Sequence, residues 1–264
     1  MRIKPYLAFA KKSFLNRSAY RFDHIMSIFN TCLKLFIYWG LYRVLYGGAT
    51  EIDGVTMTMV STNYALATAL NAVFYINDYY LPDKIYNGSI ANELLLPISF
   101  QGRMVADNLG YALFSLVFHC APVIVISALV MGIAAPAGFV AFGMFIISAL
   151  LGYGVLWSMS YVTQMLAFSS INIWAVSTIK NVFINVLSGG MIPLWFMPEW
   201  MQGVINFTPF SSIYFTPVQI YLGELTFDEM AVKAGIQLLW ILVIYSVGRM
   251  LWAKGKKKLV VQGG

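Results

Sequence analysis

Hydrophobic runs of roughly 20 residues recur six times along this sequence, each long enough as a helix to match the ~30 Å hydrocarbon core of a bilayer. Short gaps separate them. Hydrophobic residues make up 59% of the 264-residue chain and charged residues only 11%. Mean hydropathy is +0.73, and soluble domains carry about 25% charged residues. A water-soluble surface cannot be built from so few charges. The expected fold is an all-α polytopic membrane protein with six transmembrane helices, one membrane domain over residues 1–264. That length leaves no room for a separate soluble domain of ~100 residues.

The spans are expected near residues 25–46, 57–79, 108–131, 137–156, 171–187 and 231–252. Gly47-Gly48 and Gly189-Gly190 punctuate the ends of the first and fifth. Cys32 and Cys120 lie inside apolar runs and read as small hydrophobes, neither disulfide-bonded nor metal-binding.

Orientation follows from the cations. Arg2, Lys4, Lys11, Lys12, Arg17 and Arg21 precede the first span, Lys84 and Arg103 follow the second, and Arg249 with four lysines closes the chain. Six spans put all of these on one face, which the positive-inside rule makes cytoplasmic, together with both termini. Glu51, Asp53, Glu199, Glu224, Asp228 and Glu229 fall on the other side. The net charge of +6 therefore reports topology and anionic lipid headgroups, not nucleic acid.

Three segments between and before the spans carry information. Residues 1–22 are too short and too charged to span; Leu7, Ala10 and Phe14 can share one side of an interfacial helix, with Pro5 in its first turn. In the loop 83–99, Ser89 or Asn87 can cap a short helix that Pro97 stops, and its leucines either meet a partner surface or pack under their own bundle. After the fifth span, Pro193, Pro198, Pro209 and Pro217 interrupt an aromatic, apolar sequence, which excludes a straight helix. A broken re-entrant hairpin over 189–223, entering from the external side, is the expected form. Trp195, Trp200, Tyr214 and Tyr221 suit an interfacial aromatic belt.

These segments resemble the ABC-2 type permeases of bacterial ABC exporters, in particular the branch related to daunorubicin-type and other antibiotic-resistance permeases. The similarity rests on Asn87-Gly88-Ser89-Ile90 through Leu96-Pro97-Ile98-Ser99, on Ser188-Gly189-Gly190 through Pro193-Leu194 and Phe196-Met197-Pro198, and on Pro209-Phe210 and Pro217. It covers essentially the whole chain. The resemblance implies a coupling helix that docks on the ATPase, here involving Asp83, Lys84, Gly88, Glu93, Leu94 and Pro97. It implies an external gate at Gly189, Gly190, Pro193, Pro198, Pro209, Phe210 and Pro217, and residence in the bacterial inner membrane. The sequence holds no Gly-x-x-x-x-Gly-Lys-Ser/Thr phosphate loop, so this chain is expected not to hydrolyse ATP itself. ATP and Mg would be bound by separate ATPase subunits, and a second permease copy or a homologous permease would complete the pathway.

Other chemistry has little to stand on. His24 and His119 have no acid or cysteine cluster at metal spacing, and convergent catalytic groups are missing from the spans. An unpaired charge near the bilayer centre costs about 3 kcal/mol, so two lysines inside the spans stand out. Lys34 can snorkel from its place a third of the way into the first span. Lys180 sits mid-span beside Asn181 and Asn185, which share a helix face, and this group is expected either to line a translocation path or to serve interhelical packing. The alternative functions are a secondary transporter, which would need coupling-ion groups at midplane, and a membrane scaffold uncoupled from ATP. Asp78 and Asp107 fall near span ends.

Overall fold

The structure is a computed structural model that describes residues 3–169 and 172–258; Arg2, the start of the fifth run at Ile171 and the end of the tail lie outside the described residues. Helix α1 (Lys4–Ala19) meets α2 (Arg21–Tyr46) at Tyr20, whose ψ of 60° breaks the helical run. Gly47, at φ 54°, closes α2 in a left-handed cap that a side chain would strain. A two-residue hairpin, β1 (Glu51–Ile52) against β2 (Val55–Thr56), then leads into α3 (Met57–Val73), where the Thr56 hydroxyl accepts from the Met59 N–H at 3.2 Å. The short helices α4 (Tyr80–Tyr86) and α5 (Ile90–Leu94) follow.

A long helical rod is formed by α6 (Phe100–Ser115), a π-helical turn at Leu116–Cys120 and α7 (Ala121–Met131). Beyond it come α8 (Phe139–Met165), α9 (Ile173–Leu187), α10 (Glu199–Phe207), α11 (Phe215–Leu222) and α12 (Phe227–Gly255). Among the described residues, four helices are long and apolar enough to cross a membrane: Phe22–Tyr46, Phe100–Met131, Phe139–Phe168 and Phe227–Gly255. This is an all-α polytopic membrane fold. The 17 residues of α3 and the 15 of α9 rise only about 26 Å and 23 Å at 1.5 Å per residue.

Several boundaries differ from the sequence reading. The second run ends as helix at Val73, because Asn77 folds its carboxamide oxygen back onto the Tyr79 N–H at 2.9 Å and makes a turn instead. The third begins eight residues before Asn108, where the Ser99 hydroxyl caps it by accepting from the Gly102 N–H. The fourth continues to Phe168, and the sixth starts at Phe227 under a capping box between Thr226 and Glu229.

The helices run between two ends. At the basic end, Trp252 of α12 stacks on Phe100 with centroids 5.4 Å apart, and the Leu81 N–H donates to Gln164 of α8. At the other end the Ala137 N–H donates to the Tyr221 carbonyl and the Ala134 N–H to the Thr62 hydroxyl. Between them, α8 and α12 lie side by side in the same direction, Ser148 beside Gln237 and Phe168 beside Trp252. Gln237 is fully buried: its amide donates to the Ser148 and Ser212 carbonyls and its oxygen accepts from the Ser148 hydroxyl, so the apolar core contains no unmet amide there. Gly152 lets the 211–214 segment approach α8, since a Cβ there would sit 2.7 Å from the Ile213 carbonyl oxygen.

Helix α1 does not stand alone. Tyr6 bonds Ser99, Ala10 lies over Gly110, and Phe14 meets Phe114 edge-on at 5.5 Å, so α1 follows α6 in the same direction. Leu7, expected on the apolar side with Ala10 and Phe14, is exposed; the packed face comprises Tyr6, Phe9, Ala10, Ser13 and Phe14.

Candidate functional site

The loop 83–99 is held tightly on one side and bare on the other. Helix α5 buries Ile90 in a cluster with Leu81, Phe100, Met104, Tyr161 and Trp252. Glu93 is ion-paired with both Lys84 and Arg103. Burial, and then the nearby Arg103, push the Lys84 ammonium below its ordinary value. In contrast, Leu95 is 82% and Tyr86 89% exposed, and Leu94 and Leu96 are also exposed. Neither expected side-chain cap forms: Asn87 turns its oxygen to the Ser89 N–H, and Ser89 opens α5 only through its carbonyl, which accepts from the Glu93 N–H. The helix ends at Leu94, three residues short of Pro97. Gly88, at φ 73°, makes the bend between α4 and α5. Asp83 accepts at its carbonyl from the Asn87 N–H, closing α4.

In α9 the residues singled out by sequence face different ways. Ser177, Ile184 and Ser188 turn into the bundle, whereas Asn181 and Asn185 are exposed. Lys180 turns inward, with its ammonium 2.8 and 2.7 Å from the two Asp78 carboxylate oxygens and 2.8 Å from the Ser160 hydroxyl. Ser177 donates to the same carboxylate. The side chains of Lys180 and Asp78 are only 10% and 5% exposed, so the charge that looked uncompensated has a partner in this chain. Sequence reasoning missed Asp78 because it placed that residue at a span end; the turn after α3 carries it to α9 instead.

The segment after α9 is compact. Gly189 at φ 75° turns the chain, its carbonyl accepts from the Asn63 amide at 3.1 Å, and the Phe215 N–H donates to the Ser188 carbonyl. Gly190 packs against the Tyr214 ring. Pro193, Pro198 and Pro217 stand at or within the first turn of a 3₁₀ turn (Leu194–Phe196), α10 and α11, where a missing N–H costs nothing. Pro209 lies in the bend between α10 and α11, and Phe210 stacks on Phe183 at 6.2 Å. Glu224 accepts from the Trp195 indole and the Gln219 amide, both at 3.2 Å, while burial raises its carboxyl above the ordinary range. Tyr214 and Tyr221 do not form an aromatic belt: both are buried, Tyr214 accepting from Asn71 and Tyr221 donating to the Ala134 carbonyl. Trp200 is 72% exposed.

Among the described residues the cavity with the most room, about 590 Å³, lies between α6, α8 and α12; two further chambers open along another flank. One of about 390 Å³ lies between α1, α6 and α4, bordered by Lys12, Arg17, Lys84, Arg103 and Asp107. The other, about 490 Å³, lies between α2, α3 and the start of the 189–191 turn, bordered by Lys34, Asn71, Asn185 and Gly190. His24 and His119 come within 5.8 Å of each other, with Thr31 bonded to His119 at 3.0 Å. Among the described residues no group of three or more His, Cys, Asp or Glu gathers at metal-binding distance.

Long apolar helices around a core with few buried charges define an integral, multi-pass membrane protein. The ABC-2 family transporter protein model matches residues 28–263, nearly the whole chain, and the protein belongs to that family. It is thus the permease component of an ABC transporter, in a family of membrane transport components that associate in general with ABC ATPase subunits. A comparison with curated proteins finds no match.

Proposed function

We propose that this chain is the membrane subunit of an ATP-driven exporter, paired with a second copy or a related permease and powered by separate ATPase subunits that bind ATP and Mg. On this reading α3 and α9 complete six spans, the basic end is cytoplasmic, and residues 189–223 form the external gate as a broken re-entrant hairpin. One observation carries the coupling role: the α4–α5 segment is fixed to the bundle through Ile90 and Glu93, yet presents Tyr86 at the end of α4 and Leu95 just past α5 almost wholly exposed at the basic end. Exposed apolar area on an aqueous face marks an interface, and a rigidly anchored one transmits force.

Charge reversal at Glu93 is a poor test, because it also breaks the pairs with Lys84 and Arg103. Leu95 is the better position. A cysteine there is expected to crosslink to the ATPase subunit, and Leu95→Asp to abolish ATPase association with normal membrane insertion. Full association and transport by Leu95→Asp would remove this coupling surface.

The groove bordered by Asn185 and Gly190 is the proposed path. Lys180 lies outside that lining and serves as a fastener: it ties α9 to the turn at Asp78 that leads directly into the coupling segment. Copurification without any ATPase, and transport driven by an ion gradient, would favour the secondary transporter instead.

A further inference from the structure

The chambers on the α2 flank adjoin one another and share walls. Tyr75 and Tyr111 line both large ones, and a small chamber of about 70 Å³ shares Arg17 with the first and Ser27 and His119 with the second. Together they make one polar track from Lys12 and Lys84 at the basic end to Gly190 at the other.

Its charge is one-sided. Five cations border it: Lys12, Arg17, Lys34, Lys84 and Arg103. Of its three carboxylates, Glu93 is taken by Lys84 and Arg103, and Asp107 accepts from Tyr80 at 2.9 Å. Asp23 lies in the small chamber and pairs with no cation among the described residues. Lys12, Arg17 and Lys34 are exposed to the track and likewise make no ion pair among the described residues. The Arg17 guanidinium is braced over the Tyr111 ring at 4.3 Å.

No carboxylate lines the second chamber, whose polar groups are Lys34, the His119 imidazole, hydroxyls such as Thr31, Thr68 and those of its tyrosines, and the carboxamides of Asn30, Asn71 and Asn185. Such a lining stabilises an anion with hydrogen-bond acceptors and gives a cationic amphiphile no carboxylate partner. The outer face of α2 beside it is apolar and exposed, with Phe29, Phe36 and Val44 prominent, so a ligand's tail can stay in lipid while its head occupies the track.

We propose that this track binds an anionic, phosphate-type headgroup borne on an amphiphile, and that Arg17 and Lys34 are its two successive contacts. The inference rests on the permease reading, which makes that amphiphile the cargo.

The test uses the full-length chain in a neutral detergent and measures retention of phosphatidylglycerol against the phosphate-free diacylglycerol of identical acyl chains. Phosphatidylglycerol is expected to bind about tenfold more tightly, the worth of one charge-assisted hydrogen bond. Arg17→Gln and Lys34→Gln should each remove most of that preference and Lys34→Arg should keep it, while Lys233→Gln, at the other end, should change nothing. Competition by millimolar inorganic phosphate would make the free anion sufficient; lack of competition would make the amphiphile the ligand, and either result preserves the anion selectivity. Equal retention of the two lipids, or both Gln variants binding like wild type, would overturn the proposal. Because no ATPase enters the assay, selective binding without ATPase association would sink the permease reading alone, and the converse the headgroup reading alone.

Discussion

Lys180 shows how a single residue can be conspicuous in sequence and still be misplaced by it. Its cost in lipid was legible, but its partner was not, because Asp78 is 102 residues away and lies in a turn that hydropathy reads as helix. Breaking a buried pair leaves an uncompensated charge, so Lys180→Met is expected to destabilise the purified chain by about 3–5 kcal/mol. Asp78→Leu combined with Lys180→Met should recover most of it, as read by thermal unfolding. A double variant as unstable as the single one would show that the pair is not the source. Glu224 gives a second residue-scale expectation. Its folded carboxyl is raised, by burial first and against the opposing hydrogen bonds of Gln219 and Trp195, so the folded state holds the proton more tightly than the unfolded one. Stability of the 189–224 segment therefore falls as pH rises from the ordinary carboxylate range through the raised value. Hydrogen-exchange protection there, taken relative to the base-catalysed intrinsic rate, should be greater near pH 5 than at pH 7.5, and Glu224→Gln should flatten the difference.

At the scale of elements, hydropathy located each long helix but set few of its ends. The ends are decided by single side chains: Asn77 turning onto Tyr79, Ser99 capping α6, and Thr226 with Glu229 opening α12. Those bonds leave almost no trace in a hydropathy window. The face of α1 was half legible, since Ala10 and Phe14 pack as their spacing suggests while Leu7 does not. What the sequence could not reveal is the neighbour, Gly110, whose missing side chain lets the Ala10 backbone lie directly on α6. Gly110→Leu should lever α1 away at about 1–3 kcal/mol, the usual penalty for overpacking. Hydrogen-exchange protection of the α1 amides should then fall; unchanged protection would mean that the contact is not what holds α1.

For the whole molecule, the charge pattern was the best guide. Lys12, Arg17, Lys84 and Arg103, scattered over 92 positions of sequence, do converge on one chamber at one end. The track itself was not readable, because Asn30, Asn71, Asn185 and Lys34 come from three helices whose relative rotation only packing fixes. In intact cells, a cysteine at Ser89 should be protected from an impermeant reagent and one at Trp200 labelled, if the basic end faces the cytoplasm; labelling of Ser89 would invert the topology. The central claim, that a separate ATPase drives this permease, is tested most directly by isolating the tagged chain from its own membranes and measuring ATP hydrolysis. The account predicts a copurifying ATPase subunit whose activity accompanies wild type and is lost from the Leu95→Asp preparation. Homogeneous chain that carries no ATP hydrolysis, yet still moves its cargo in vesicles without ATP, would contradict it.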